Sequence, residues 1–180
     1  MGILIAVLVL VGALLVLDLV LTFGVIKRLR THSELIGKAL ENRVPAGPVM
    51  VAEGNLVADF TARTVDGVEV SRSSFTEQTL AGFFAVECDT CIEKLPDFVE
   101  HAKDHPRDHV LAVVQGDADG AAEFVARLAP VARVVVEPVG GVVSKAFEVR
   151  GTPVVAMLGP GGRVVAAGFQ PEVLPRLAVR

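Results

Sequence analysis

The sequence predicts an α/β domain with a mixed central sheet flanked by helices, carried behind one N-terminal apolar helix. Three observations lead there. Residues 3–26 are a 24-residue run in which Asp18 is the only charge. From Thr79 to Phe147, apolar segments of strand length alternate with amphipathic ones. A hairpin pattern then follows, with Gly159-Pro160-Gly161-Gly162 between two apolar stretches. Strands that alternate with helices and end in a hairpin make an α/β domain with a mixed sheet.

The apolar run comes first. At about 1.5 Å per residue it spans a hydrocarbon layer of about 30 Å. No basic residue precedes it, and Lys27-Arg28-Leu29-Arg30 follows directly. It lacks the charged start and small-residue end of a cleaved signal peptide, so it reads as a retained single-pass membrane anchor over 1–26. Asp18 costs something in lipid and reads as a residue tolerated in a helix with apolar area to spare. Residues 27–53 read as a juxtamembrane helix and a linker, broken by Val44-Pro45-Ala46-Gly47-Pro48. The globular domain is expected over 54–180.

Within that domain, Val57–Val70 alternates weakly around Asp66-Gly67, a tight-turn signal. Thr79–Val86 reads as a central strand covered on both faces. Asp89–Lys103 reads as a helix with Ile92, Leu95, Phe98 and Val99 inward and a kink at Pro96. His109–Val114 and Ala132–Val136 are further strands. Between them lies the helix Ala118–Leu128, with Ala121, Phe124, Val125 and Leu128 inward. Val142–Phe147 is a short helix, Pro153–Leu158 and Arg163–Ala167 form the hairpin, and Val173–Val179 is a last helix.

Composition excludes several functions. A formal net charge of -4 disfavours nucleic-acid binding, which needs clustered Lys and Arg. Two cysteines three apart are not a secreted disulfide scaffold. With no Trp or Tyr, the core must be built from aliphatic residues and nine Phe.

The chemistry points to Cys88-Asp89-Thr90-Cys91, which closes a buried strand and opens a helix. A helix N-terminus offers unpaired N–H groups and partial positive charge, and both favour a thiolate. Cys88 at the helix mouth is the expected nucleophile. Cys91, one turn in, is the expected resolving thiol. Flanking carboxylates at Glu87 and Asp89 oppose the thiolate and predict a couple more reducing than the strong oxidants of this chemistry.

Phe83 to Cys91, with Pro96 five residues beyond, resembles the active-site strand and helix of thioredoxins, and Arg150-Gly151-Thr152-Pro153 resembles their cis-proline loop. Gly54–Ser74 is similar to the opening of the membrane-tethered TlpA and MauD redoxins. The resemblance implies a thioredoxin-like fold and a thiol–disulfide oxidoreductase acting on protein thiols and disulfides. It also implies a membrane redox partner and a redox domain outside the cytoplasm. It assigns catalytic roles to Cys88, Cys91 and Pro153, and a partner-facing surface to Thr152, Glu87, Asp89 and Thr90. No organic cofactor and no metal are implied. The basic residues after the apolar run argue the other way on sidedness, since such residues tend to stay cytoplasmic.

Three positions depart from the thioredoxin pattern: Glu87 stands for its Trp, Asp89-Thr90 for its Gly-Pro, and Gly82 for its buried Asp. Disulfide exchange survives these changes, while the lost Trp and Asp support a second reading, a non-catalytic redoxin-like binding module. A peroxiredoxin would need a Pro-x-x-x-Thr/Ser-x-x-Cys loop that Cys88 lacks. A zinc site built from Cys88, Cys91, His101 and His105 has too short a spacer. The three histidines His101, His105 and His109 instead read as solvent-facing residues near a helix end, and Lys94 as a surface partner of Glu93 or Asp97.

Overall fold

The computed structural model describes residues 48–171 and 174, with Gly2 and Gly12 singly. The expected anchor, most of the juxtamembrane segment and the expected last helix lie outside the described residues. No helix among the described residues is long and apolar enough to cross a membrane.

The packed unit begins at Pro48. Residue 53, the boundary expected from the sequence, falls inside this packing. Met50 and Val51 are already buried, and the Val51 N–H donates to the Phe147 carbonyl at 2.9 Å. Strands β1, Thr61–Arg63, and β2, Glu69–Ser71, pair antiparallel around Asp66-Gly67. Gly67 has φ +81, a left-handed conformation that only glycine adopts at little cost.

The main sheet has five strands: β3, Thr79–Ala85; β4, Val110–Gln115; β5, Arg133–Glu137; β6, Val154–Gly159; and β7, Arg163–Gly168. Their order is β5-β4-β3-β6-β7. Strands β3, β4 and β5 run parallel, while β6 pairs antiparallel with β3, and β7 with β6. Helices α1, Asp89–Ala102, and α2, Ala118–Leu128, are the crossovers that the parallel pairs require. A third helix, α3, covers Val142–Ala146.

Alternation along the strands sorts side chains into two cores. Leu80, Phe84, Val110, Ala112, Val114, Val155 and Met157 pack with Leu95 and Phe98 of α1 and Phe124 of α2. Ala81, Phe83, Leu111, Val113, Val154 and Leu158 pack with Phe60, Phe75 and Phe147 on the other face. In place of Trp and Tyr, Phe147 gathers the rings of Phe60, Phe75 and Phe83 at centroid distances of 5.7, 6.3 and 4.9 Å. Each such fully buried ring contributes about 1.5–3 kcal/mol.

The structure corrects several details. Ile92 is 47% exposed, and Cys91 takes the inward position, so the buried face of α1 is Cys91, Leu95, Phe98 and Ala102. Val99 and Val125 are only half-buried. His105 is not solvent-facing: it is buried beside His101, with ring centroids 5.4 Å apart. Burial, and then the neighbouring His101, hold its basicity below the ordinary histidine value. Helix α1 runs through Pro96 and His101, so Cys91 and His101 lie about 15 Å apart along it. Lys94 pairs with Asp97 at 3.3 Å.

Gly82 explains how α1 sits so close to the sheet. A Cβ there would lie 2.6 Å from the Phe98 ring and 2.9 Å from Phe84. Gly82→Ala is therefore expected to cost about 1–3 kcal/mol in urea denaturation. Part of that loss should return when Phe98→Leu is added, and a neutral single variant would disprove the close approach.

Candidate active site

The position of the cysteine pair is set by β3 and the turn after it. Ala85 ends the strand, opposite Gln115 of β4. The Val86 N–H donates to the Gln115 carbonyl at 3.0 Å. Glycines make this join possible, because a Cβ at Gly116 would lie 2.6 Å from the Val86 methyls. Cys88 then takes an extended conformation as the N-cap of α1. Its sulfur accepts the Cys91 N–H at 3.2 Å, while its carbonyl accepts from Cys91 and Ile92.

Both cysteines are free thiols, Cys88 half-buried and Cys91 fully buried. The Cys88 thiol donates to the Thr152 carbonyl at 3.5 Å. Thr152 precedes Pro153 through a cis peptide bond, the geometry expected for this loop, and Pro153 is buried. Sequence positions 64 residues apart thus meet at one sulfur. Glu87, Asp89 and Thr90 surround Cys88 and are exposed. Asp89 in the first turn favours the helix dipole.

Cys91 is in a different electrostatic position. Burial first, and then its hydrogen bond with Cys88, push its thiol up to about 12. The Ala85 backbone and the Thr152 side chain offset part of that rise. Gly82 occupies the position that the resemblance gives to a buried Asp, and the Phe98 ring packs against it.

Sequence reasoning missed a polar cluster beside the loop. Glu137 ends β5 at an inward position and caps α3, accepting the N–H groups of Val143 at 2.9 Å and Ser144 at 2.8 Å. It also accepts the Ser144 hydroxyl at 2.6 Å, and Gln115 donates to that hydroxyl oxygen at 2.7 Å. These three side chains are buried. Gln115 and Ser144 line a cavity of about 540 Å³ whose wall includes Thr152. The available signal was a polar residue at the inward-facing C-terminal end of two parallel strands, the edge where α/β sheets bind ligands.

No protein-family model matches the chain, and no curated sequence matches it. Solved structures do. The thioredoxin domain of a thiol-disulfide oxidoreductase from Bacteroides vulgatus superposes with a TM-score of 0.57 at 16% identity, covering 68% of this chain and 91% of that one. StoA from Bacillus subtilis gives 0.52 at 20% identity, covering 64% and 90%. MTB dsbF, solved in mixed oxidized and reduced forms, gives 0.51 at 25% identity, covering 61% and 82%. The fold is thioredoxin-like.

The unequal burial of the two thiols predicts their reactivity. Iodoacetamide at neutral pH should label Cys88 in the folded dithiol protein and leave Cys91 until the chain unfolds. Folded Cys91 keeps its proton to about 12, whereas its ordinary value is 9.0. The stability this gives the dithiol form is complete below about pH 9 and is lost as pH rises toward 12. Urea denaturation should show that alkaline loss in the wild type and a smaller one in Cys91→Ala. Labelling of Cys91 before Cys88 would reverse the assignment.

Proposed function

We propose that the chain is a membrane-tethered thiol–disulfide oxidoreductase that exchanges disulfides with partner proteins through Cys88 and Cys91. One observation carries the reading: a half-exposed sulfur at a helix N-terminus, beside the carbonyl of Thr152, with a second thiol buried one turn below. The oxidoreductase fold neighbours support it.

In the reducing direction, Cys88 attacks one sulfur of a partner disulfide. The Cys88–partner bond forms, the partner's own S–S bond breaks, and its other sulfur leaves as a thiolate. Cys91 then attacks Cys88. A Cys88–Cys91 disulfide forms and the second partner sulfur departs, taking up the proton that Cys91 gives away. Two electrons have passed to the partner. Run backwards, the same steps oxidise a partner dithiol. Thr152 and Pro153 shape the surface on which an extended partner lies, and Glu87, Asp89 and Thr90 border it.

The tether is the run 3–26, long enough to cross a bilayer. In this reading the redox domain faces outside the cytoplasmic membrane, where a membrane redox partner would recharge the pair. Tether-plus-redoxin layout supports this side, and the basic residues after the run oppose it. A redoxin-like binding module without turnover is the second reading, favoured by Gly82 and Glu87 standing in place of the thioredoxin Asp and Trp.

Turnover assays separate the two readings. Cys88→Ser should abolish insulin reduction, and Cys91→Ser should accumulate covalent mixed disulfides with partners. Equal, residual rates for the wild type and Cys88→Ser would leave the binding module. An impermeant thiol reagent should label Cys88 in intact, mildly reduced cells, and labelling only after lysis would place the domain inside. Removing the flanking charges with Glu87→Gln and Asp89→Asn together should raise the reduction potential by on the order of 10–20 mV. A lowered potential would contradict the charge argument.

A further inference from the structure

The cavity beside the Thr152 loop has a polar floor that thiol exchange does not use. Glu137 acts there as an acceptor for three donors. The Ser144 hydroxyl has a single proton, and Glu137 takes it. Ser144 Oγ can therefore only accept, and the group it accepts from is Gln115 Nε2. This fixes the Gln115 amide in one of its two orientations. Its Oε1 points away from Ser144, and among the described residues no donor meets it. Gln115 is only 7% exposed and lines the cavity. The result is a pre-oriented hydrogen-bond acceptor at the wall of an open cavity, available to a ligand that can donate to it.

The rim decides which donor. Lys145 and Arg150 line the same cavity, with Glu148 the single acid among its lining residues. Neither cation has an ion-pair partner among the described residues. An ammonium or guanidinium entering the pocket would meet two like charges, whereas a neutral amide or hydroxyl would not. The pocket lies close to the chemistry, because Thr152 both lines it and accepts the Cys88 thiol. A partner held at Cys88 extends about 3.3 Å per residue, so a residue one or two positions from its cysteine lies on the Thr152 side of the cavity.

We propose that Gln115 Oε1 selects partners carrying a neutral hydrogen-bond-donating side chain, Asn, Gln, Ser or Thr, within two residues of the cysteine that Cys88 attacks. The inference rests on the exchange reaction proposed above and specifies its substrate class.

The test uses the full chain and a set of short peptides, each with one cysteine held as a mixed disulfide with thionitrobenzoate. Each of the two positions on either side of the cysteine carries in turn Asn, Leu, Thr, Val or Lys. Attack by Cys88 joins the peptide sulfur to the protein and releases coloured thionitrobenzoate. At one position, Asn should outpace Leu, and Thr should outpace Val, by about fivefold, the size of one net neutral hydrogen bond. Gln115→Met should bring both ratios near one. Ser144→Ala, which frees the amide to turn, should lower them, and it serves if Gln115→Met fails to fold. Ratios near one throughout the wild type, a Lys peptide reacting fastest, or a preference that survives in Gln115→Met would each overturn the subsite. In all three cases Cys88-dependent release continues, so the oxidoreductase reading stands. No Cys88-dependent release from any peptide would overturn both.

Discussion

A single sulfur atom both ends a helix and carries the proposed chemistry. Cys88 Sγ accepts the Cys91 N–H, a group that any helix leaves unpaired in its first turn. Most helices fill that place with a hydroxyl or carboxylate oxygen. Here the cap is a thiol, so the geometry that begins α1 also holds the sulfur beside a partial positive charge. The location of that cap follows from β3. A strand buried on both faces cannot slip by one residue without exchanging its two cores. Leu80, Gly82 and Phe84 must face α1, and Ala81 and Phe83 must face Phe147. With that register fixed, the chain leaves the sheet at Ala85 and reaches the helix mouth three residues later.

The same packing controls the second thiol. Phe98 lies against Gly82, and the contact is close enough to exclude even a methyl group there. Helix α1 therefore seats tightly on β3, and Cys91, on the same face as Leu95 and Phe98, is sealed in an apolar layer. Burial is the leading cause of its raised value. With Gly82 standing where thioredoxins have a buried Asp, the proposed exchange would leave Cys91 its proton until the resolving attack. In the proposed exchange, the departing partner sulfur would be the acceptor. Tight packing and proton transfer are thus coupled through one glycine.

Much of this was legible because it is local or periodic. The alternation of apolar segments gave the five strands of the main sheet and both crossover helices to within a residue or two. Val57–Val70 located β1 and β2 only as a region. The resemblance of Arg150–Pro153 to the thioredoxin loop foretold the cis bond that the structure contains. Phase was harder. Periodicity marks a helix as amphipathic, but Ile92 and Cys91 are adjacent, and tertiary packing chose the smaller one to face the sheet. Polar residue type also misled at His105, which packs against His101 instead of meeting solvent. The Gln115–Ser144–Glu137 cluster was invisible for another reason. Gln115 and Ser144 are 29 residues apart and meet only once β4 and α3 are assembled.

The two faces of the sheet divide the work at its C-terminal edge. Ala85, Gln115 and Glu137 stand side by side there on β3, β4 and β5. From Ala85 the chain turns to α1, and the cysteine pair grows from the apolar face. From Gln115 and Glu137 the inward side chains enter the opposite face and tie down α3 with a buried polar network. Thr152 is where the two meet, since its carbonyl touches Cys88 while the residue also walls the cavity above Gln115. The hydrogen bonds that orient Gln115 involve neither thiol. Changes on the polar face can therefore reshape the cavity without disturbing the cap that holds the sulfur.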